Sequence, residues 1–261
     1  MSRVHACFEA LKAKKRTAFV AYLTVGFPSR NATPDIVSSL LEGGADILEL
    51  GMPFSDPLAD GATIQHSNQV ALNNSVTLKD CLDAAKQVRS KNKTVPILLM
   101  GYYNPLLHYG LSKFCADSVK AGVDGFIVVD LPPDEAADLK KECAKNGLDL
   151  VFLLTPTSSN ERMTLVCEGA SGFIYIVTVA GVTGVRTSVN TAVPELVARV
   201  RKHTRLPLVV GFGVSTPEQF QAIGKYADGV AVGSAIINVI EKSSTKEAAA
   251  SAKAFAKKLR P

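Results

Sequence analysis

The sequence predicts an α/β fold: a single (β/α)8 barrel of the TIM type over residues 1–261, with an extra N-terminal helix and a long loop after strand 2. Three observations predict it. Short apolar runs alternate with amphipathic stretches along the whole chain. The runs are continuously apolar, as in a parallel sheet covered on both faces, and not alternating. Eight such strand–helix units fit within 261 residues, the span of one closed barrel. A doubly wound open sheet is the competing arrangement, but it usually carries GxGxxG after its first strand, and none occurs here.

Strands are expected at 19–25, 47–52, 97–101, 125–129, 148–154, 173–179, 208–212 and 229–232. Helices are expected at 34–42, 78–90, 111–121, 133–145, 160–168, 194–203, 217–226 and 245–259. Helix starts are marked in the chain. Ser215-Thr216-Pro217-Glu218 combines a hydroxyl cap with a proline in the first turn. The insertion between the second and third strands is long, and residues 63–72 within it form an additional short helix. Long βα loops of a barrel lie at its catalytic face, so chemistry is expected there.

Composition bounds the function. The chain is 47% hydrophobic and 20% charged, as in a globular protein with a sizeable core. Its net charge of +5 is scattered over helical stretches without interleaved aromatics, which argues against a nucleic-acid partner. No apolar run reaches the ~18 residues of a membrane span. The five cysteines (Cys7, Cys81, Cys115, Cys143, Cys167) are odd in number, widely spaced and free of CxxC, which points to a reducing compartment. The cytoplasm is expected, or a plastid should a transit segment have been removed.

The most informative segment is residues 48–61, Leu-Glu-Leu-Gly-Met-Pro-Phe-Ser-Asp-Pro-Leu-Ala-Asp-Gly. Glu49 lies in an apolar strand near its C-terminal end, where a charge costs several kcal/mol unless it is paired, protonated or in use. One reading makes Glu49 a general acid/base whose pKa is raised by apolar neighbours. The other makes it a buried carboxylate satisfied by backbone donors or an arginine. Asp60, before Gly61, is either a second functional carboxylate or turn chemistry. Asp56, between Ser55 and Pro57, reads as a turn or contact residue. Asp130 follows strand four, and its Leu131-Pro132-Pro133 sequel looks structural.

Glycines follow three late strands, at Gly181-Val182-Thr183-Gly184, Gly211-Phe212-Gly213 and Gly233-Ser234. Backbone N–H groups there can hold an anion, and Gly233-Ser234 opens a helical stretch whose dipole adds to the effect. A phosphorylated ligand is expected, against the simpler reading that glycine eases tight turns. The histidines (His5, His66, His108, His203) lie outside the expected strands and show no HxH or HExxH spacing, so no metal site is expected. No lysine falls in a strand, which argues against a Schiff base. Tyr22, Tyr102 and Tyr175 near strand ends either shape an aromatic pocket or pack in the core.

Residues 48–61 closely resemble the hallmark segment of the tryptophan synthase α chain family. Met100-Gly101-Tyr102-Tyr103-Asn104-Pro105, Asp130-Leu131-Pro132-Pro133, the three glycine segments and Asp228–Ser234 extend the resemblance over the chain, in a form similar to the eukaryotic members. The resemblance implies cleavage of indole-3-glycerol phosphate to indole and glyceraldehyde 3-phosphate. It implies Glu49 as acid/base, Asp60 as the indole N–H partner, Tyr175 as an active-site tyrosine and Thr183 in a closing loop that orients Asp60. Gly184, Gly213, Gly233 and Ser234 would hold the phosphate. Tyr22, Met100, Ile127, Val129, Leu153 and Phe212 would line the indole pocket. Pro53 and Asp56 would face a partner, a tryptophan synthase β subunit or fused β domain in an αββα assembly. Pyridoxal phosphate is expected only in that partner, with no cofactor in this chain. Two positions depart from many members: Val179 stands where they have Arg, and Ala62 where they have Pro. A free-standing lyase releasing indole, a non-catalytic activating subunit and a different phosphate-ester barrel enzyme are the competing readings.

Overall fold

A computed structural model describes residues 2–177, 192–211 and 213–260. Eight parallel strands close in chain order: β1 (Ala18–Thr24), β2 (Ile47–Gly51), β3 (Ile97–Gly101), β4 (Gly125–Val128), β5 (Asp149–Leu154), β6 (Ile174–Val177), β7 (Leu208–Gly211) and β8 (Gly229–Val232). β8 pairs back onto β1, Ala18 opposite Gly229. The expected barrel is present, and each strand bound lies within one residue of its expected place except the end of β6, where residues 178 and 179 lie outside the described residues. The helices are α1 (Arg3–Ala13), α2 (Thr33–Glu42), α3 (Ala62–Asn73), α4 (Leu78–Lys91), α5 (Tyr103–Tyr109), α6 (Leu111–Ala121), α7 (Ala137–Asn146), α8 (Asn160–Gly169), α9 (Ala192–Val200), α10 (Pro217–Gly224), α11 (Ser234–Glu241) and α12 (Ala248–Leu259).

Local chemistry explains most helix bounds. Thr77 with Asp80, and Thr216 with Gln219, close reciprocal capping boxes on α4 and α10. Three differences from expectation have physical causes. α7 begins at Ala137 and not at 133, because Pro133 takes the second position of a turn that Pro132 opens. The chain instead turns there, with Glu135 N–H on the Pro132 carbonyl at 3.1 Å. α9 ends at Val200, where Lys202 and His203 switch to i→i−3 bonds on Arg199 and Val200. α5 was not anticipated. Its first N–H, from Tyr103, is taken by the Asp130 carboxylate at 2.9 Å, and Gly110 with φ +91° stops it.

Two apolar layers form the core. The outer one lies between the strands and the helices. The inner one fills the barrel with Val20, Ile47, Leu98, Ile127, Val151, Phe173 and Val209. The extra N-terminal helix, α1, plugs the N-terminal end of that inner layer with Val4, Phe8 and Leu11, and Phe8 meets Phe173 edge-on at 5.9 Å. The barrel is therefore closed below and open only where the strands end. No helix among the described residues is long and apolar enough to cross a membrane.

The closed end carries a repeated lock. Asp46, Asp124 and Asp228 each stand just before an even-numbered strand. Each carboxylate accepts a backbone N–H from the start of the preceding strand: Phe19 at 2.9 Å, Ile97 at 2.8 Å and Leu208 at 2.8 Å. Each also binds arginine: Arg260 on Asp46, Arg89 (2.7 Å) and Arg3 (2.8 Å) on Asp124, and Arg201 on Asp228. The Ser171 hydroxyl takes the same part between β5 and β6, accepting Leu150 N–H at 2.9 Å. The Asp124 lock is the buried one, with side-chain exposures of 5% for Asp124 and 10% for Arg89. Asp124→Ala strands the Arg89 charge and is expected to cost about 3–5 kcal/mol. Asp228→Ala, opposite a more exposed Arg201, costs less. Urea denaturation of both variants checks the order, and equal losses would contradict it.

Candidate active site

Glu49 points into the open end from β2, in register with Tyr22 of β1. It is fully buried, and neither carboxyl oxygen has a hydrogen-bond partner among the described residues. Of its two readings, the satisfied structural carboxylate is thus not what is found. Burial alone pushes its pKa from the ordinary 4.5 up to about 8, so the group is a carboxylic acid at neutral pH.

Asp60 reaches the same cavity from the loop between β2 and α3. Burial outweighs the Tyr102 hydroxyl (3.1 Å) and the Asn68 amide (3.4 Å), which both donate to Oδ2 and pull the other way, and its pKa is raised to about 6. Tyr102 also accepts the Ala59 N–H at 3.0 Å, so one phenol grips the loop twice. At neutral pH the site therefore pairs a protonated Glu49 with an ionised Asp60, the division of labour that acid/base chemistry uses.

Both carboxyls line a cavity of about 640 Å³ at the strand ends. Tyr22, Met100, Val129, Leu153 and Tyr175 supply much of its wall, and Gly213, Gly233 and Ser234 border the far side. No side chain caps α11, so its first-turn N–H groups are open to an anion at the positive end of the helix. Other glycines make room for rings. A Cβ on Gly51 would sit 2.2 Å from the Tyr22 hydroxyl, and one on Gly211 would sit 2.6 Å from the Tyr175 ring. Among the described residues no His, Cys, Asp or Glu group is arranged to hold a metal. Among the described lining residues there is no lysine, and Arg162 is the one cation.

The family profile described as the tryptophan synthase alpha chain matches residues 8–260. The chain belongs to the tryptophan synthase α chain family. It is a lyase of that family, whose α reaction splits indole-3-glycerol phosphate into indole and glyceraldehyde 3-phosphate. It is 47% identical over 259 residues to the tryptophan synthase alpha chain of Chloroflexus aggregans, covering 99% of this chain and 97% of the relative. It is 50% identical over 233 residues to the tryptophan synthase of Saccharomyces cerevisiae, covering 89% of this chain and 33% of that longer protein. A crystal structure of tryptophan synthase from M. tuberculosis superposes with a TM-score of 0.90 at 34% identity, covering 100% of both chains.

The structure gathers most of the residues that the family resemblance singled out. Ile127 is fully buried in the inner barrel layer and does not border the cavity. Pro53 is buried in the loop after β2, whereas Asp56 is exposed and accepts the Ser55 hydroxyl at 2.5 Å. Thr183, Gly184, Phe212 and the departure at Val179 lie outside the described residues. Sequence reasoning missed the grip of Tyr102 and Asn68 on Asp60. The buried pair Ser67 and Asn68 on the inner face of α3, polar where the helix period demands apolar, was the available signal.

Proton linkage gives a test of the Glu49 environment. Its folded pKa is raised, so its contribution to stability is full below about 4.5 and is lost as the pH rises to about 8. Glu49→Gln cannot ionise and escapes that loss. Its stability relative to the parent should climb by a few kcal/mol, on an order-of-magnitude basis, across that window and then level off. Denaturant midpoints at several pH values measure this, and a pH-independent difference would show that Glu49 titrates normally.

Proposed function

We propose that this chain carries out the α reaction with Glu49 as the acid/base and Asp60 as the partner of the indole N–H. The observation that carries the reading is one cavity holding a fully buried Glu49 carboxyl with no partner among the described residues and a half-buried Asp60 carboxylate that accepts from Tyr102 and Asn68. Glu49 gives its proton to indole C3, which turns the ring into a leaving group. Positive charge grows on the ring nitrogen, and the ionised Asp60 stabilises it through the N–H. The Glu49 carboxylate then takes the proton of the C3′ hydroxyl. The C3–C3′ bond breaks, its electron pair returns to the ring, and the C3′ oxygen becomes the aldehyde. Glu49 ends protonated, as it began. Tyr175 and Tyr22, whose phenols burial keeps protonated, flank the ring with Met100, Val129, Leu153 and Phe212, while Ile127 packs beneath them in the inner barrel layer. The phosphate rests on Gly184, Gly213 and the Gly233-Ser234 amides. Thr183 belongs to the loop that closes over it.

The chain works with a pyridoxal-phosphate β partner that consumes indole. Pyridoxal phosphate belongs to that partner, in keeping with a cavity whose described lining holds no lysine. The yeast relative, three times the length matched here, supports a fused or associated β unit. The loop after β2 supports it as well, because Leu58 is 91% exposed at its tip beside Asp56. Five free cysteines support a cytoplasmic setting.

Glu49→Gln is expected to lower kcat for indole-3-glycerol phosphate cleavage by at least roughly 10³-fold with circular dichroism unchanged, within the range that positioned acid/base groups supply. Near-parental turnover would remove Glu49 from the mechanism. Adding a β chain should raise turnover strongly, and Leu58→Asp should abolish the gain while sparing the rate of the isolated chain. Equal rates with and without the partner would favour a free-standing lyase.

A further inference from the structure

A phenol next to a carboxyl group is its natural donor, and Tyr22 occupies the register position beside Glu49. Neither Glu49 oxygen nevertheless has a partner among the described residues. The explanation lies in where the phenol proton goes. The Tyr22 hydroxyl is 3.1 Å from Thr24 Oγ1, which is 2.6 Å from Ser67 Oγ, which donates to the Ile64 carbonyl at 2.9 Å. Proton counting sets the direction of the whole chain. A carbonyl only accepts, so the one hydroxyl proton of Ser67 is engaged there. Ser67 must then accept from Thr24. Thr24, its single proton used, must accept from Tyr22. All three side chains are buried, so water does not compete for these groups.

The geometry carries that proton away from the acid. Thr24 is the register partner of Gly51, two positions beyond Glu49 toward the open end. The Tyr22 ring reaches this level only because Gly51 lacks a side chain. The other ionisable groups of the cavity are also committed or turned elsewhere. Asp60 is engaged by Tyr102 and Asn68. Tyr175, from β6, lies against Gly211 and does not donate to Glu49. Asp130 and Arg162 complete the ionisable lining among the described residues, where Asp130 accepts the Tyr103 N–H and Arg162 pairs with Asp134.

We propose that Thr24 and Ser67 are positioning residues acting through Tyr22: they draw its hydroxyl proton toward the open end of the barrel and leave the Glu49 carboxyl without a donor. The proposal builds on the acid/base reading of Glu49. A donor to an ionised carboxylate favours ionisation, whereas a donor turned away leaves burial unopposed. One hydroxyl orientation thus decides whether Glu49 remains an acid near neutrality.

The test uses the whole chain with Thr24→Val, which keeps the side-chain shape, and Ser67→Ala as an independent break in the same relay. Infrared difference spectra against Glu49→Gln follow the protonated-carboxyl band of Glu49 through a pH titration. The alkaline limb of kcat/KM for indole-3-glycerol phosphate is measured in parallel. Thr24→Val removes the acceptor of the Tyr22 proton and should weaken proton binding at Glu49 roughly tenfold, with the alkaline limb moving down in step. Ser67→Ala leaves Thr24 able to accept, removes only what fixes the direction, and should give a smaller shift of the same sign. Adding Tyr22→Phe to either variant removes the freed donor and should restore the titration. An unmoved titration in both folded variants overturns the proposal, as does a shift that persists in the Tyr22→Phe doubles. If the carboxyl band moves as expected but the limb does not, the relay stands and the acid/base reading of Glu49 fails.

Discussion

Burial of the Glu49 carboxyl, with no partner among the described residues, is the constraint around which the open end of this barrel is built. Leaving a polar group unsatisfied in an apolar interior costs on the order of 1–3 kcal/mol, and an ionised one costs far more. The group meets that demand by holding its proton, which is what makes it an acid at neutral pH. The fold tolerates the cost because its other end is heavily determined. The strands close with no free edge, α1 fills the lower mouth, and three aspartate locks tie strand starts to arginines. Stability is concentrated at one end of the barrel and chemistry at the other.

The insertion after β2 is what organises the chemical end. Its helix α3 presents Ser67 and Asn68 side by side. Ser67 terminates the hydroxyl relay from Tyr22, and Asn68 donates to Asp60. The loop ahead of α3 supplies Asp60 itself, and Tyr102 from the end of β3 clasps it at two points. Phe54 of the same loop lies on the Tyr102 ring, with centroids 5.1 Å apart. The exposed tip of the loop and the carboxylate at its base therefore share one rigid support. A partner seated on the tip would press on the element that sets Asp60.

Much of this was legible in the sequence because it depends on short-range pattern. Continuous apolar runs marked the strands, and a lone glutamate in such a run marked the acid. The glycines after the late strands were read as an anion cradle, but Gly211 and Gly51 make room for tyrosine rings, a relation between strands that no local pattern carries. The same holds for Tyr102, which local pattern leaves between pocket wall and core packing, and whose hydroxyl acts 42 residues away in sequence on Asp60. Asp46, Asp124 and Asp228 recur just before strands, yet their arginines come from Arg3, Arg89, Arg201 and Arg260, scattered over the chain. α5 was missed because its first N–H depends on Asp130, which is supplied by a different βα loop.

The acid and the phosphate cradle constrain each other. A phosphate is most simply held by lysine or arginine, but a full positive charge within a few ångströms of Glu49 would favour its ionised form and remove the acid. Among the described lining residues the one cation is Arg162, and its guanidinium is occupied by Asp134. Backbone N–H groups at Gly213 and at the uncapped start of α11 offer partial charges instead. They can hold an anion without flooding the barrel with positive potential. The glycine-rich β7–β8 side and the cation-poor β2 side are thus two consequences of one requirement: the site must bind a charged substrate while keeping a buried carboxyl neutral.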